Sequence, residues 1–536
     1  MTPGTGTAGS SARERLVLWT LAAGQFLMAL DSSVMNVSIA TVADDVGTTV
    51  TGIQGAITAY TLVMAMFMVP GAKVGALIGR RRAFMIGCCI YGCGSLTTAL
   101  APNLPVLLLG WSFLEGIGAA LILPAIVALV AGNFAAERRP AAYGLVAAAG
   151  AVAIALGPII GGFAATYLSW RWVFAGEVLV VLGILVLARQ VADASSGRRP
   201  HIDLIGAVLC ALGLGVFVYG VLRSDEWGWF RPKTDAPAWL GVSLVVWLML
   251  AGLLLIWLFL VWEARLLKQR KEPLIDPGLF HNKQLTGGLT MFFFQYAVQM
   301  GVFFVVPLYL SVALGLSALA TGARLLPLSL TLLAAATLIP RFLPDVSPRR
   351  VVRLGVLALL AGTVVLMSAL DAGAGAEIVT VPLLLIGVGM GALASQLGSV
   401  TVSAVPDEQS AEVGGVQNAV TNLGSSIGTA LAGSILIAAL TSSFLTSVEQ
   451  NPAIPAAVKS QAAVELQSGV TFMSDAQLKT ALDEAGTNRQ AARIALEANA
   501  DARLDGLRAA LAILAFACVG ALFFTSRIPT VQPRST

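Results

Sequence analysis

The chain has 536 residues, 57% of them hydrophobic and only 12% charged, far below the roughly 25% charged residues of a soluble domain. Its mean hydropathy is +0.83, and its formal net charge of +4 is small and spread over short connections, which argues against a nucleic-acid-binding surface. Such a composition belongs to a protein whose main solvent is the lipid bilayer.

Apolar runs long enough to cross roughly 30 Å of hydrocarbon as a helix recur along the chain. They predict fourteen membrane helices, at 16–40, 53–76, 83–101, 105–131, 142–168, 172–189, 204–222, 238–262, 285–311, 318–340, 351–370, 378–403, 412–440 and 507–526. The first run is too long for the core of a signal peptide and reads as a retained span. Short loops rich in Lys and Arg stay cytoplasmic. Arg13 and Arg15, Arg80 to Arg82, Arg138 and Arg139, Arg189 with Arg198 and Arg199, the basic run from Arg265 to Lys283, and Arg341 to Arg353 all fall on one side. Intervening loops such as 41–52 and 371–377 carry no basic residue, so both termini are expected in the cytoplasm. One stretch, AVPDEQSAE (404–412), is acidic where this rule expects basic residues.

A tight turn and an arginine cluster follow both span two (VGALIGRRR, 74–82) and span ten (LPDVSPRRV, 343–351). This predicts two related halves, 16–190 and 285–526, as parallel repeats give in transporters, with 204–262 as an inserted helix pair. Residues 1–15 and 527–536 read as cytoplasmic tails, and 441–506 as an extracytoplasmic loop of helical-hairpin character with helix starts at Ser474 and Thr487.

Three acids fall inside apolar spans, Asp31, Glu115 and Glu177, none with a basic partner at helical spacing. A charged side chain at mid-bilayer costs roughly 2.5 to 3.5 kcal/mol even on lenient insertion scales, so such residues mark pathways. Desolvation favours the neutral form of a carboxyl group. Alternate exposure to the two sides then loads and unloads a proton, which makes these three the predicted proton-coupling residues. The competing reading of Glu115 is a carboxylate that only packs helices together. Trp111 and Ser112 share the helix face of Glu115. For Trp111, stacking on a cationic substrate and anchoring at the membrane interface are both open.

In the fifth span Gly157, Pro158, Gly161 and Gly162 predict a bent, closely packed helix. Gln295, Tyr296 and Gln299 in span nine, with Gln417, Asn418 and Asn422 in span thirteen, predict either a substrate-cavity wall or interhelical hydrogen bonds. The five cysteines lie in apolar runs and read as packing residues, and the two histidines, His201 and His281, lie in polar connections, which excludes a histidine relay in the membrane. There is no nucleotide motif, metal-ligand set or nucleophile-base pair, so no cofactor, no metal and no enzymatic reaction are expected, and a gradient must supply the energy.

These motifs resemble the major facilitator superfamily, and within it the fourteen-helix drug:proton antiporters of bacteria, over nearly the whole chain. LDSSVMNVSIA (30–40) is similar to the first-span motif through Asp31 and Asn36, Tyr60 fits the aromatic position of span two, and WRWVF (170–174) matches the start of span six. GPIIGG (157–162) matches the antiporter motif, while Gly79, Arg80 and Arg81, with Asp345, Arg349 and Arg350, match the two copies of the gating loop. The resemblance implies an all-α membrane protein of two six-helix bundles plus two inserted helices. It further implies export of amphipathic or cationic small molecules across the bacterial cytoplasmic membrane, by alternating access and in exchange for protons. A monomer is expected. The sequence departs from the pattern at Ala76, where an Asp is usual, at Ser112, where an Arg is usual, and at Glu177, where Asn is common. Those departures imply relocated coupling or a strong preference for cations. Export of an endogenous lipid or secondary metabolite, and a non-transporting membrane sensor or scaffold, are the alternatives.

Overall fold

The computed structural model describes residues 7–48, 50–193, 203–233, 236–371, 374–406, 409–450, 478–480 and 489–532. Fourteen long helices account for nearly all of them: α1 (Thr7–Asp45), α2 (Val50–Ile78), α3 (Arg80–Ala99), α4 (Leu104–Asn133), α5 (Arg139–Tyr167), α6 (Arg171–Ala188), α7 (Leu204–Leu222), α8 (Leu244–Lys268), α9 (Lys283–Leu308), α10 (Ala318–Phe342), α11 (Pro348–Ala369), α12 (Thr380–Val402), α13 (Ser410–Gln450) and α14 (Arg489–Phe524). Thirteen contain a window apolar enough to cross a membrane. The other, α3, is diluted by three arginines and by its Gly, Ser and Thr residues.

Helix ends differ from the hydropathy reading wherever a helix runs past the lipid. α13 continues to Gln450 and α14 already begins at Arg489, so both described ends of the expected 441–506 loop prolong membrane helices. Alanine-rich sequence favours the helical extension of α14 (489–506), and Ser443 Oγ donates to Asp505 Oδ2 (2.7 Å) to join the two extensions. The expected helix starts at Ser474 and Thr487, like His201, lie outside the described residues. The second inserted helix starts at Leu244 rather than near 238, because Ala238–Trp239 (β1) pairs antiparallel with Val242–Ser243 (β2). Leu240 and Gly241 both have positive φ (54° and 74°), as a two-residue hairpin turn requires.

Buried apolar residues form one large cluster from α9 to α14, into which Ala148 and Ala151 of α5 intrude, and others drawn mainly from α1 to α6. The inserted helices pack on each other, and through Cys210, Leu214 and Phe259 they join Val69 of α2, Ala419 of α13 and Leu274 and Ile275 of the following connection. Large apolar side chains such as Leu179 and Leu182 on α6, Leu254 and Trp257 on α8 and Phe523 on α14 point outward. In water they would be an aggregation hazard; in a bilayer they meet lipid.

The two sets of helices touch at the arginine-rich end. Lys73 of α2, buried, lies 2.9 Å from Glu412 Oε1 at the start of α13, and Gly398 of α12 takes the ring of Tyr143 from α5 so closely that any Cβ there would clash. Glu412 therefore belongs to a cross-bundle ion pair, which gives part of the acidic 404–412 stretch a role that the loop-charge rule does not anticipate. At the opposite end Arg171 pairs with Asp45, whose Oδ2 also accepts from Trp170 Nε1 at 2.9 Å.

The loop after α2 is built differently from its motif. Gly79 sits at φ 99°, a conformation L side chains rarely adopt, and the carboxylate beside it comes from Asp193 beyond α6, whose Oδ1 accepts from Arg81 N at 3.3 Å. With Ala76 unable to provide an acid, Asp193 supplies one at the N-terminus of α3, where backbone N–H groups favour it. Arg80 is buried, and Arg81 also donates to the carbonyl of Arg189 (3.3 Å). In the second copy Asp345 and Arg350 are exposed, while Arg349 Nε donates to the Ile528 carbonyl at 2.7 Å and so holds the segment after α14.

Candidate functional site

Three close helix approaches assemble the site. Between α1 and α5, Pro158 has no N–H to give the Ile154 carbonyl four residues earlier. Ser33 of α1 fills that role, its Oγ donating to Ile154 O at 2.9 Å, and the missing side chain of Gly157 makes room for Ser33. Between α3 and α4, a Cβ on Gly94 would lie 2.6 Å from Glu115 Cγ and 2.7 Å from the Gly110 carbonyl, so only glycine lets these backbones meet. That stretch of α4 is itself a widened, π-helical segment, Leu108–Glu115, a distortion that recurs at functional sites. Between α4 and α2, Ser112 Oγ donates to the Ala56 carbonyl at 2.8 Å.

The consequence is convergence. Asp31 of α1, Glu115 of α4 and Glu177 of α6 are fully or almost fully buried, and one carboxylate oxygen from each lies within 4.8 Å of the others. Each has hydroxyl or indole partners rather than cationic ones. Trp111 Nε1 donates to Asp31 Oδ1 at 2.7 Å, Ser95 Oγ lies 3.1 Å and Tyr91 OH 3.4 Å from Glu177 Oε2, and Thr98 Oγ1 lies 3.2 Å from Glu115 Oε1. Thr98 Oγ1 is also 2.9 Å from the Gly94 carbonyl, so its single proton can go there while its oxygen accepts from a protonated Glu115. Asp31 Oδ2, Glu115 Oε2 and Glu177 Oε1 are buried without a hydrogen-bond donor. None of the ion pairs found among the described residues includes these acids.

Two unit charges about 4.8 Å apart repel by roughly 3 to 4 kcal/mol at an effective dielectric constant near 20, so the closeness of the three carboxylates opposes their carrying charge together. The group is chemically suited to sharing and exchanging protons. It also presents three oxygens to a small cation, half of the six that Mg²⁺ takes.

Trp111 is buried and stacked on Tyr60, with ring centroids 5.2 Å apart and planes parallel within 1°. It is not an interfacial anchor: its indole N–H is directed at Asp31, and one ring face is covered by Tyr60. Asn36 lies on α1, with its side chain outside the described residues. Gly161 packs against Val34 and Gly162 follows it on the same helix.

The polar residues of the second half do not join the acids. Gln295 turns into a small apolar cavity within its own bundle, lined by Met291, Val298, Leu359 and Cys518, and Gln299 is buried on the same helix one turn on, with Tyr296 partly buried between them. Gln417 accepts from Thr401 Oγ1 at 2.9 Å and ties α13 to α12. Asn418 donates to the Gly414 carbonyl at 2.8 Å, while the buried Nδ2 of Asn422 has no acceptor. Sequence reasoning missed Lys73, Asp193 and the hydroxyls of Ser95 and Thr98. The signal for Lys73 was present as a lone cation in an apolar helix; nothing local marks the others.

The Major Facilitator Superfamily profile matches residues 21–429. The chain belongs to that family. Its members are membrane transporters of small molecules rather than enzymes, and this chain is a multi-pass member. It is 29% identical to the puromycin resistance protein of Streptomyces alboniger over 81% of its own length and 84% of that protein's. To the multidrug resistance protein Stp of Mycobacterium tuberculosis it is 27% identical, covering 84% and 81% of the two chains. The crystal structure of the human organic anion transporter MFSD10 superposes with a TM-score of 0.57 at 13% identity, over 96% of this chain and 99% of that one, a likeness of fold.

Proposed function

We propose that this major facilitator protein is a proton-coupled exporter of amphipathic or cationic small molecules, working by alternating access, with Asp31, Glu115 and Glu177 as one proton-exchanging group. The observation that carries the reading is the meeting of three buried carboxylates from α1, α4 and α6, none of them in an ion pair among the described residues. Protons balance them in one state, and a substrate cation does so in the other. Relatives named for resistance to puromycin and to multiple drugs support the direction and breadth of transport.

In this account the first bundle (16–190) carries coupling, the second (285–526) supplies the opposing wall, and the pair at 204–262 is an insertion. Both termini face the cytoplasm, the membrane is the bacterial cytoplasmic one, and the working unit is a monomer. Ser112 stands where the family's arginine is usual and hydrogen-bonds to the backbone of α2, so coupling passes to Glu115 three residues on.

The test is proton flux in reconstituted vesicles with a panel of amphipathic cations. Glu115→Gln is expected to abolish substrate-induced proton movement, lowering it at least about tenfold, while substrate binding is retained. Full coupling in that variant would remove Glu115 from the role.

A further inference from the structure

The inserted helices reach the bundle seam through a chain of specific contacts. Lys73 Nζ has two acceptors: Glu412 Oε1 of α13 at 2.9 Å and the carbonyl of Pro273, in the connection after α8, at 2.8 Å. The next residue of that connection, Leu274, is buried, and its backbone N–H donates to Glu263 Oε2 of α8 at 2.7 Å. Glu263 is itself fully buried and stands beside Asp203 at the start of α7, whose Oδ2 accepts from Trp262 Nε1 at 2.7 Å and from Gly206 N at 2.8 Å. A side chain at Gly206 would collide with both carboxylates. Around this polar thread Leu274 and Ile275 pack with Val69 of α2, Phe259 of α8 and Ala419 of α13. One apolar cluster thus spans the inserted pair and both bundles.

We infer that the segment 269–276 is a strap by which the inserted pair holds the bundles closed at their arginine-rich end, with Glu263 as a positioning residue that acts through Leu274 and Pro273 on the Lys73–Glu412 pair. Lys73 loses its water when buried and needs more than one acceptor to be held as a cation. Glu412 supplies the charge and Pro273 the second oxygen, which stays in place only while Glu263 fixes the next N–H. Opening that end separates Lys73 from Glu412 and must either drag the strap or break its anchor. The two extra helices then set the balance between open and closed states, beyond any part in carrying substrate.

Spin-label distances across the seam test this in the full-length protein without any substrate, so the result stands apart from the efflux reading. Labels at Glu137→Cys and Leu343→Cys, both exposed at the arginine-rich end on opposite bundles, are placed in a chain whose five native cysteines are replaced by alanine. E263L is expected to raise the ratio of long-distance to short-distance populations about tenfold, whereas E263Q, which still offers an oxygen to Leu274, stays within about twofold of the parent. K73M raises the ratio as much or more, and adding E263L to K73M produces no further change. Should E263L not fold, Leu274→Pro removes the donated N–H without altering α8 and carries the same expectation. Unchanged distances in E263L or L274P, or an effect that adds in full to that of K73M, would overturn the proposal.

Discussion

Pro158 shows how one residue decides what its neighbours must be. Its missing N–H leaves the Ile154 carbonyl to Ser33 of the adjacent helix, and Ser33 fits because position 157 is glycine. Ser33→Ala is therefore expected to destabilise the protein by about 0.5 to 1.5 kcal/mol. In a Pro158→Ala background, where residue 158 can bond Ile154 itself, the same change should cost much less; thermal unfolding of the four proteins in detergent measures this, and equal costs would contradict the assignment. The glycines and the proline were legible in the sequence as a tight, bent helix. Their partner was not, because Ser33 lies 121 residues before Ile154 in the chain and no local pattern announces it. Trp111 teaches the same lesson: its identity is compatible with stacking, anchoring or donating, and only the structure shows it stacked on Tyr60 while its indole N–H donates to Asp31.

Among the elements, α3 and α4 matter most, since their contact brings Glu115 inward. A methyl group at position 94 falls within 2.6 Å of Glu115 Cγ and 2.7 Å of the Gly110 carbonyl, so the helices must separate to admit it. Gly94→Val should lower the unfolding temperature and also weaken proton coupling, whereas valine at Gly176, which faces open space on α6, should do neither. Melting curves and vesicle flux on the two variants check the contrast, and equal behaviour would sever the link between helix approach and site. The helices were legible because lipid imposes a run of apolar residues on anything that spans it, thirteen by a run apolar enough to cross and α3 by a weaker one after its arginines. Their ends were not: hydropathy marks what lipid covers, while α1, α13 and α14 continue beyond it, the last two joined by the contact of Ser443 with Asp505. The π-helical segment of α4 was equally hidden, since its residues are unremarkable for an ordinary helix.

At the scale of the molecule, three acids spread over positions 31, 115 and 177 become one group only through the packing of α1, α4 and α6. Sequence marked each as costly and therefore meaningful; it carried no information on their mutual distance. The same holds for the seam, where Lys73 and Glu412, 339 residues apart, form one pair. The arrangement of charged loops around the arginine-rich end leads to a topological expectation: reporters fused after residue 15 and after residue 536 should both read as cytoplasmic; both reading as extracytoplasmic would reverse the assignment of that end, and a split result would contradict fourteen spans. The central claim is that the three carboxylates act together as a proton-holding group that substrate discharges. Its most direct measurement is proton release from the purified protein in weakly buffered detergent on addition of a cationic substrate, comparing the parent with the D31N/E115Q/E177Q variant. The parent is expected to release protons in proportion to substrate bound, and the variant to release none while remaining folded. Undiminished release from the folded variant would contradict the account.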